Sequence, residues 1–395
     1  MEIGPTERRR RLVERQHVGV PADDVDTAVA NVVALHGTDP VSVYLQLWAR
    51  VPGITLEDIQ DVLYEERGLI KVTAMRRTMF LPRAEDATRV MASSAPKVWR
   101  TERKRIADVL ADSYLDPLAQ ISSWEDLAVK TIREHGQLST AEIKKHAPEL
   151  AGTFVLGKGT KFPTKVSIAT RVMLLLAAEG RVVRGRPLGS WLGSQYRWAL
   201  PEGWSPSLQT TVDEEEASRW LVERWLRRFG PGSLLDLVWW TGWTKTKARQ
   251  VLATLDVTEV DIGADQVGLV MSDDLEETPE TEEPAVALLP GLDATVMGWK
   301  ERDWYMKPEM VPLLVDSVGN VGPTAWVDGQ VVGGWGVDPT DMVRIHPLTP
   351  IDDGARHHLE VEAGRLESWL DGRRFTWRFD SPLHLAITNG DCPPT

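Results

Sequence analysis

His36, Thr38 and Asp39 bring an imidazole, a hydroxyl and a carboxylate together within four residues, inside VALHGTDPVSVYLQLWAR (33–50). A neutral imidazole can take a proton from water, a hydroxyl can orient that water, and a carboxylate can stabilise positive charge as it develops. That is a kit for hydrolysis without a metal or cofactor. The same turn also has a structural explanation. Gly37 suits the end of one helix, Asp39 suits the cap of the next, and Pro40 suits a first position whose missing N–H is not needed. Capping leaves His36 and Thr38 unaccounted for, although a lone histidine at a helix end is more often a packed or surface residue than a base.

Other chemistries find less support. The eight histidines are scattered, and the adjacent His357 and His358 point about 100° apart on a helix. No HxxxH, HxH or HExxH spacing occurs, so no metal site is expected. The single cysteine, Cys392, excludes a disulfide framework within the chain and suits a reducing cytoplasm. Nucleophile elbows and phosphate-binding Walker loops are missing; Gly157-Lys158-Gly159-Thr160-Lys161 follows no strand and reads as a basic loop able to clamp a phosphate. No apolar run approaches the roughly 18 residues of a membrane span, and MEIGPTERRRRLVERQ has no apolar signal core. A cytoplasmic protein is expected.

The net charge of −13 argues against a polyanion partner only as an average. Residues 1–200 hold 29 Lys and Arg against 24 Asp and Glu, whereas residues 201–395 hold 16 against 34. Lys158 to Arg197 carries eight basic residues and one acidic, and no base lies between Arg249 and Lys300. A nucleic acid would be drawn to the first half.

The elements that would position these groups follow a repeating order. At 395 residues the chain is long enough for two to four domains. Residues 124–200 read as three helices and a hairpin: WEDLAVKTIREHG, then TAEIKKHAPEL capped by Ser139 or Thr140 with Glu142, then VSIATRVMLLLAAEG, RVVRGRP and SQYRWAL. The order recurs in residues 213–272, with Ser233 and Thr244 as caps, and less plainly in 1–83. Three helices followed by a two-stranded wing is the winged helix-turn-helix order. An α+β protein is therefore expected: winged helices over 1–83, 124–200 and 213–272, a connecting helix over 84–123, an acidic linker over 273–284, and a strand-rich region over 285–395. In that last region AVALLPGLDATVMGW, TAWVDGQVVGGWGV, RRFTWRF and LHLAI read as strands, with a helix around 353–371. Most of the 17 tryptophans, including Trp220, Trp225, Trp239 and Trp240, read as core, whereas Trp335 reads as exposed.

Five stretches together carry a family likeness: ALHGTDPVSVYLQLWARV, AMRRTMFLPRAED, EEEASRWLVERWLRRFGPGSLLDLVWWTG, LLPGLDATVMGWKERD and PTAWVDGQVVGGW. The chain resembles the winged-helix DNA glycosylases of the AlkZ/YcaQ type. The resemblance implies a C-shaped protein of tandem winged helices that excises alkylated purines and, in some members, unhooks interstrand crosslinks. It places the family's active Gln-x-Gln or Gln-x-Asp motif on His36, Gly37 and Thr38, where neither glutamine is present. It places a DNA-groove hairpin on Val327 to Trp335. The implied enzyme is a monomeric, monofunctional, cofactor-free hydrolase acting on duplex DNA with alkylated bases, with His36, Thr38 and Asp39 at the reaction centre. Arg76, Arg77, Lys158, Lys161, Arg184, Arg186, Gly329, Gln330 and Trp335 would meet DNA. A non-catalytic winged-helix regulator or damage sensor is the rival from another class, and a protein scaffold is a third reading.

Overall fold

The computed structural model describes residues 1–157, 163–281 and 283–391, apart from the side chains at 95, 97 and 98. It is a mixed helix-and-sheet chain that divides into two compact units, Met1–Ile59 with Arg219–Thr395, and Gln60–Ser218.

The first unit opens with α1 (Pro5–Gln16), α2 (Val25–Asn31), the two-residue strand β1 (Leu35–His36) and α3 (Pro40–Trp48), and α4 (Leu56–Tyr64) then leads out of it. The second unit contains β2 (Val72–Thr73), β3 (Met79–Leu81), α5 (Ala87–Leu110), α6 (Pro117–His135), β4 (Leu138–Ser139) and α7 (Thr140–His146). It continues with β5 (Thr153–Leu156), β6 (Thr164–Ser167), α8 (Ile168–Ala178), β7 (Val183–Pro187) and β8 (Tyr196–Ala199). Strands β4, β8 and β7 form one sheet, and β5 pairs with β6. Ile121, Trp124, Ile132, Ile143, Met173, Leu176 and Trp198 make its core. Their spacing on α6, α7 and α8 is helical, so each helix turns one apolar face inward.

The chain returns to the first unit along α9 (Glu214–Phe229), followed by α10 (Leu234–Thr241), α11 (Lys245–Leu252) and the hairpin of β9 (Val257–Asp261) and β10 (Val267–Met271). Beyond it lie β11 (Val286–Leu289), α12 (Val311–Leu314), β12 (Thr324–Val327), β13 (Gln330–Val337), β14 (Val343–Pro347), α13 (Asp353–Leu370) and α14 (Pro382–Asn389). Strands β11 to β14 form an antiparallel sheet in chain order, with α13 and α14 packed on it. Aromatic rings run through this core: Trp225, Trp240, Phe229, Trp299, Tyr305 and Trp326 succeed one another at centroid separations of 5.1–6.2 Å. Trp225 and Trp240 are buried as expected, while Trp220 and Trp239 are only half-buried.

Capping chemistry is as the sequence indicates. Ser139 with Glu142, and Ser233 with Asp236, form complete capping boxes, and Thr244 caps α11. Three expectations need correction. LHLAI is helical, because Ser381 caps it, Pro382 takes its first turn and Gly390 ends it in the left-handed conformation. RRFTWRF forms no strand, whereas VRIHP does. Helix α2 stops at Asn31 rather than at Gly37, and Val33 turns at φ 65° so that Leu35 enters the core. The acidic segment after β10 carries ion pairs to the first unit's helices. Asp273 pairs with Arg227, Asp274 with Arg11 and Arg15, and Glu280 with Arg10. Arginines of α1 and α9 thus hold that segment.

Candidate active site

Asp39 makes the turn at 36–39 by capping α3. One carboxylate oxygen accepts the Val41 amide at 3.2 Å and the other accepts the Arg378 amide at 2.8 Å. Burial raises its pKa against the pull of those two amides. Both oxygens are therefore committed to backbone, and Asp39 acts as a fixed cap rather than a mobile base. Arg378 also donates from its guanidinium to the Thr38 carbonyl at 3.4 Å.

His36 lies on β1 with only 3% exposure. Its backbone is held by Gln46. The Gln46 carbonyl oxygen accepts the His36 amide at 3.3 Å and the Ala294 amide at 3.0 Å, while its NH2 donates to the His36 carbonyl at 2.9 Å and the Ser42 carbonyl at 3.1 Å. Four bonds use the whole capacity of a carboxamide. One turn further on, Arg50 forks onto Asp293 at 2.7 and 2.8 Å, both side chains being fully buried, and also donates to Thr295 at 2.9 Å. The Ser42 hydroxyl donates to the Gly291 carbonyl. Ser42 and Gln46 on α3, with Arg50 in the turn just past its end, are thus the polar seam that grips the LLPGLDAT segment.

The sequence contained a signal for this seam. The three residues recur every four positions, which puts Ser42 and Gln46 on one face of an otherwise apolar helix and Arg50 just beyond its end.

Thr38 is the half-buried member of the turn, and its hydroxyl has no hydrogen-bond partner among the described residues. A buried hydroxyl beside polar backbone suits an ordered water. The turn thus offers one uncommitted hydroxyl and one imidazole on a backbone fixed from two sides. Among the described residues no group of three or more His, Cys, Asp or Glu is arranged to hold a metal ion.

The residues expected to meet DNA separate by location. In the second unit Arg77 is exposed and pairs with Glu102 at 3.1 Å, and Arg76 beside it is half-buried; both take left-handed φ values, of 53° and 64° for Arg76 and Arg77 respectively. Arg184 stacks on Tyr196, and Arg186 stacks on Tyr64 while pairing with Glu65 at 2.7 Å. Lys158 and Lys161 lie outside the described residues. In the first unit the β12–β13 hairpin is not a free finger. Trp335 is 1% exposed and its indole N–H donates to the Leu289 carbonyl at 2.8 Å, so the exposure expected of it is absent. A Cβ on Gly329 would stand 2.7 Å from the Arg9 carbonyl oxygen. Glycine is needed there for packing on α1, and Gln330 beside it is half-buried.

With this geometry described, comparison with known proteins identifies the family. The family model described as DNA glycosylase AlkZ-like matches residues 29–369. Among solved structures, the Streptomyces sahachiroi DNA glycosylase AlkZ is similar at a TM-score of 0.70 and 18% identity, over 94% of this chain and 98% of that one, which is a likeness of fold. No curated protein matches the chain. The protein belongs to the AlkZ-like DNA glycosylase family.

Proposed function

We propose that this protein is a monofunctional DNA glycosylase that hydrolyses the N-glycosidic bond of N7- or N3-alkylated purines in duplex DNA, with interstrand crosslinks of the same linkage as further substrates. An alkylated purine of this kind carries a positive charge, so the base departs as a neutral molecule once the bond to C1′ breaks. The enzyme must then position a water and stabilise an oxocarbenium-like sugar. In this scheme the Thr38 hydroxyl holds the water and His36 accepts its proton as oxygen bonds to C1′. Asp39 supplies negative potential from its capping position. The observation that carries the proposal is the Thr38 hydroxyl, an oxygen out of contact with solvent and with no hydrogen-bond partner among the described residues, in a turn whose backbone is clamped by Gln46 and Arg378.

The three-helix-and-hairpin order supports tandem winged helices over 1–83, 124–200 and 213–272, with the connecting and linker segments between them, in a monomer working in the cytoplasm. Arg76, Arg77, Lys158, Lys161, Arg184 and Arg186 would neutralise phosphates, giving binding that is salt-dependent and indifferent to sequence. Gln330 remains a candidate contact at the rim of the β12–β13 hairpin.

Release of N7-methylguanine from duplex DNA by the wild type, His36→Ala and Thr38→Val tests the mechanism. Loss of release in both variants is expected; equal release by His36→Ala removes His36 from it. One observation favours a second reading. His36 is almost fully buried and both Asp39 oxygens are committed, which fits a non-catalytic DNA-binding protein. That reading predicts duplex binding by the wild type without any base release.

A further inference from the structure

In the second unit three cations gather on neighbouring aromatic rings. Lys71, at the start of the β2–β3 hairpin, donates to the Tyr64 hydroxyl at 2.6 Å, with its ammonium 5.0 Å from the centre of the Tyr64 ring. The Arg186 guanidinium sits 4.8 Å from the centre of that same ring. Arg184 lies two residues before Arg186 on β7, with its guanidinium 4.8 Å from Tyr196 and 5.6 Å from Trp198. Burial, and then the charge of Arg184, lower the Lys71 ammonium to a pKa of about 8.

We infer that Lys71, Arg184 and Arg186 form a seat for one backbone phosphate of duplex DNA, with the ring of Tyr64 as its floor. Three cations on adjoining aromatic faces repel one another, and an anion placed among them relieves that repulsion. Among the described residues Lys71 has no acidic partner. Arg186 donates to Gln60 at 2.8 Å and pairs with Glu65, whose side chain is 65% exposed, and such a surface pair is worth about 0–1 kcal/mol and exchanges readily for a phosphate. The Lys71 ammonium spends one of its three N–H groups on Tyr64, which leaves two to donate. A phosphodiester offers two non-bridging oxygens, so Lys71 can hold one while a guanidinium holds the other. That the phosphate comes from DNA rests on the glycosylase reading. Arg184 and Arg186 were legible from the basic stretch; Lys71 was not, because only folding brings it beside them.

The test is binding of undamaged duplex DNA to the full chain across salt concentrations, with base release from an N7-methylguanine duplex measured in parallel. Lys71→Met should lower affinity roughly tenfold at about 50 mM salt and make the log–log salt slope shallower by about 0.9, the signature of one lost phosphate contact. Lys71→Arg should restore both, and Lys130→Met on α6 should change neither. Unchanged slope and affinity in Lys71→Met would overturn the seat. So would saturation of the wild type by inorganic phosphate with no effect of Lys71→Met on DNA, since the site would then serve the free ion. Base release by the wild type is read separately: it can persist while the seat fails, or be absent while Lys71-dependent binding remains.

Discussion

Replacing Gln46 by leucine removes the clamp on His36 while keeping the volume of the helix face. The His36 and Ala294 amides lose their acceptor, and each is buried. An orphaned buried donor costs about 1–3 kcal/mol, so the pair costs about 2–6 kcal/mol. Burying an extra apolar side chain returns about 1–3 kcal/mol. The Ser42 carbonyl is less affected, because it lies within the helical ladder of α3. A net loss of about 1–3 kcal/mol leaves a folded protein with a melting temperature lower by roughly 2–12 °C. The functional effect should exceed the stability effect. A turn displaced by about 1 Å loses about 100-fold in rate, and the loss should fall on kcat rather than KM because DNA contacts are untouched. Native-state hydrogen exchange reads the clamp directly: the His36 and Ala294 amides should lose protection before their neighbours do. Gln46→Glu keeps the acceptor for both amides but sets a carboxylate against the His36 and Ser42 carbonyls, so it should retain His36 amide protection better than leucine while destabilising the chain. If Gln46→Leu leaves melting, exchange and kcat unchanged, the clamp does not position the turn.

Further expectations concern neighbouring parts of the molecule. Thr38→Val should leave stability within about 1 kcal/mol, because the hydroxyl has no hydrogen-bond partner among the described residues, while lowering base release by about 10-fold or more. Asp39→Asn points one NH2 group at the Arg378 N–H or the Val41 N–H and should destabilise by about 1–3 kcal/mol, seen by denaturant unfolding. Asp39 also makes a pH signature. Its folded pKa is raised, so its contribution to stability is full below the unfolded value and is lost as pH rises through the folded one; the Asn variant should lack that segment of the stability–pH curve. Lys71 has the opposite sign. Its folded pKa of about 8 lies below an unfolded value of about 10.4, so stability should climb as pH rises between them, and Lys71→Met should flatten that climb in thermal melts. Asp274→Ala removes the paired bonds to Arg15 and should open residues 273–284 to limited proteolysis faster than in the wild type.

Much of this was open to a reading of the chain alone, for identifiable reasons. Caps are local: Asp39, Ser139, Ser233 and Thr244 each bond within three residues of themselves, so their roles follow from neighbours in sequence. Helix α14 was misread because LHLAI has both strand alternation and helix spacing, and only Ser381-Pro382 and Gly390 decide between them. Trp335 was misplaced because β13 is buried along most of its length, so period-two alternation says nothing about which face meets solvent. The contacts that define the candidate site escaped altogether. Arg378 reaches Asp39 across 339 positions and Ala294 reaches Gln46 across 248, separations over which composition and periodicity carry no signal.

The buried fork between Arg50 and Asp293 has a consequence for how the chain is made. Its halves stand 243 positions apart. At about 5–20 residues per second, a ribosome that has released Arg50 needs roughly 10–50 s to deliver its partner. Gln60–Ser218 is continuous and emerges whole within that interval, whereas Met1–Ile59 must wait for material beyond Arg219. During synthesis the turn bearing His36 therefore exists for tens of seconds as an unfinished half, with an uncompensated guanidinium and an apolar helix exposed. The inner unit can close first, and the candidate active site is the last part of the protein to come into being.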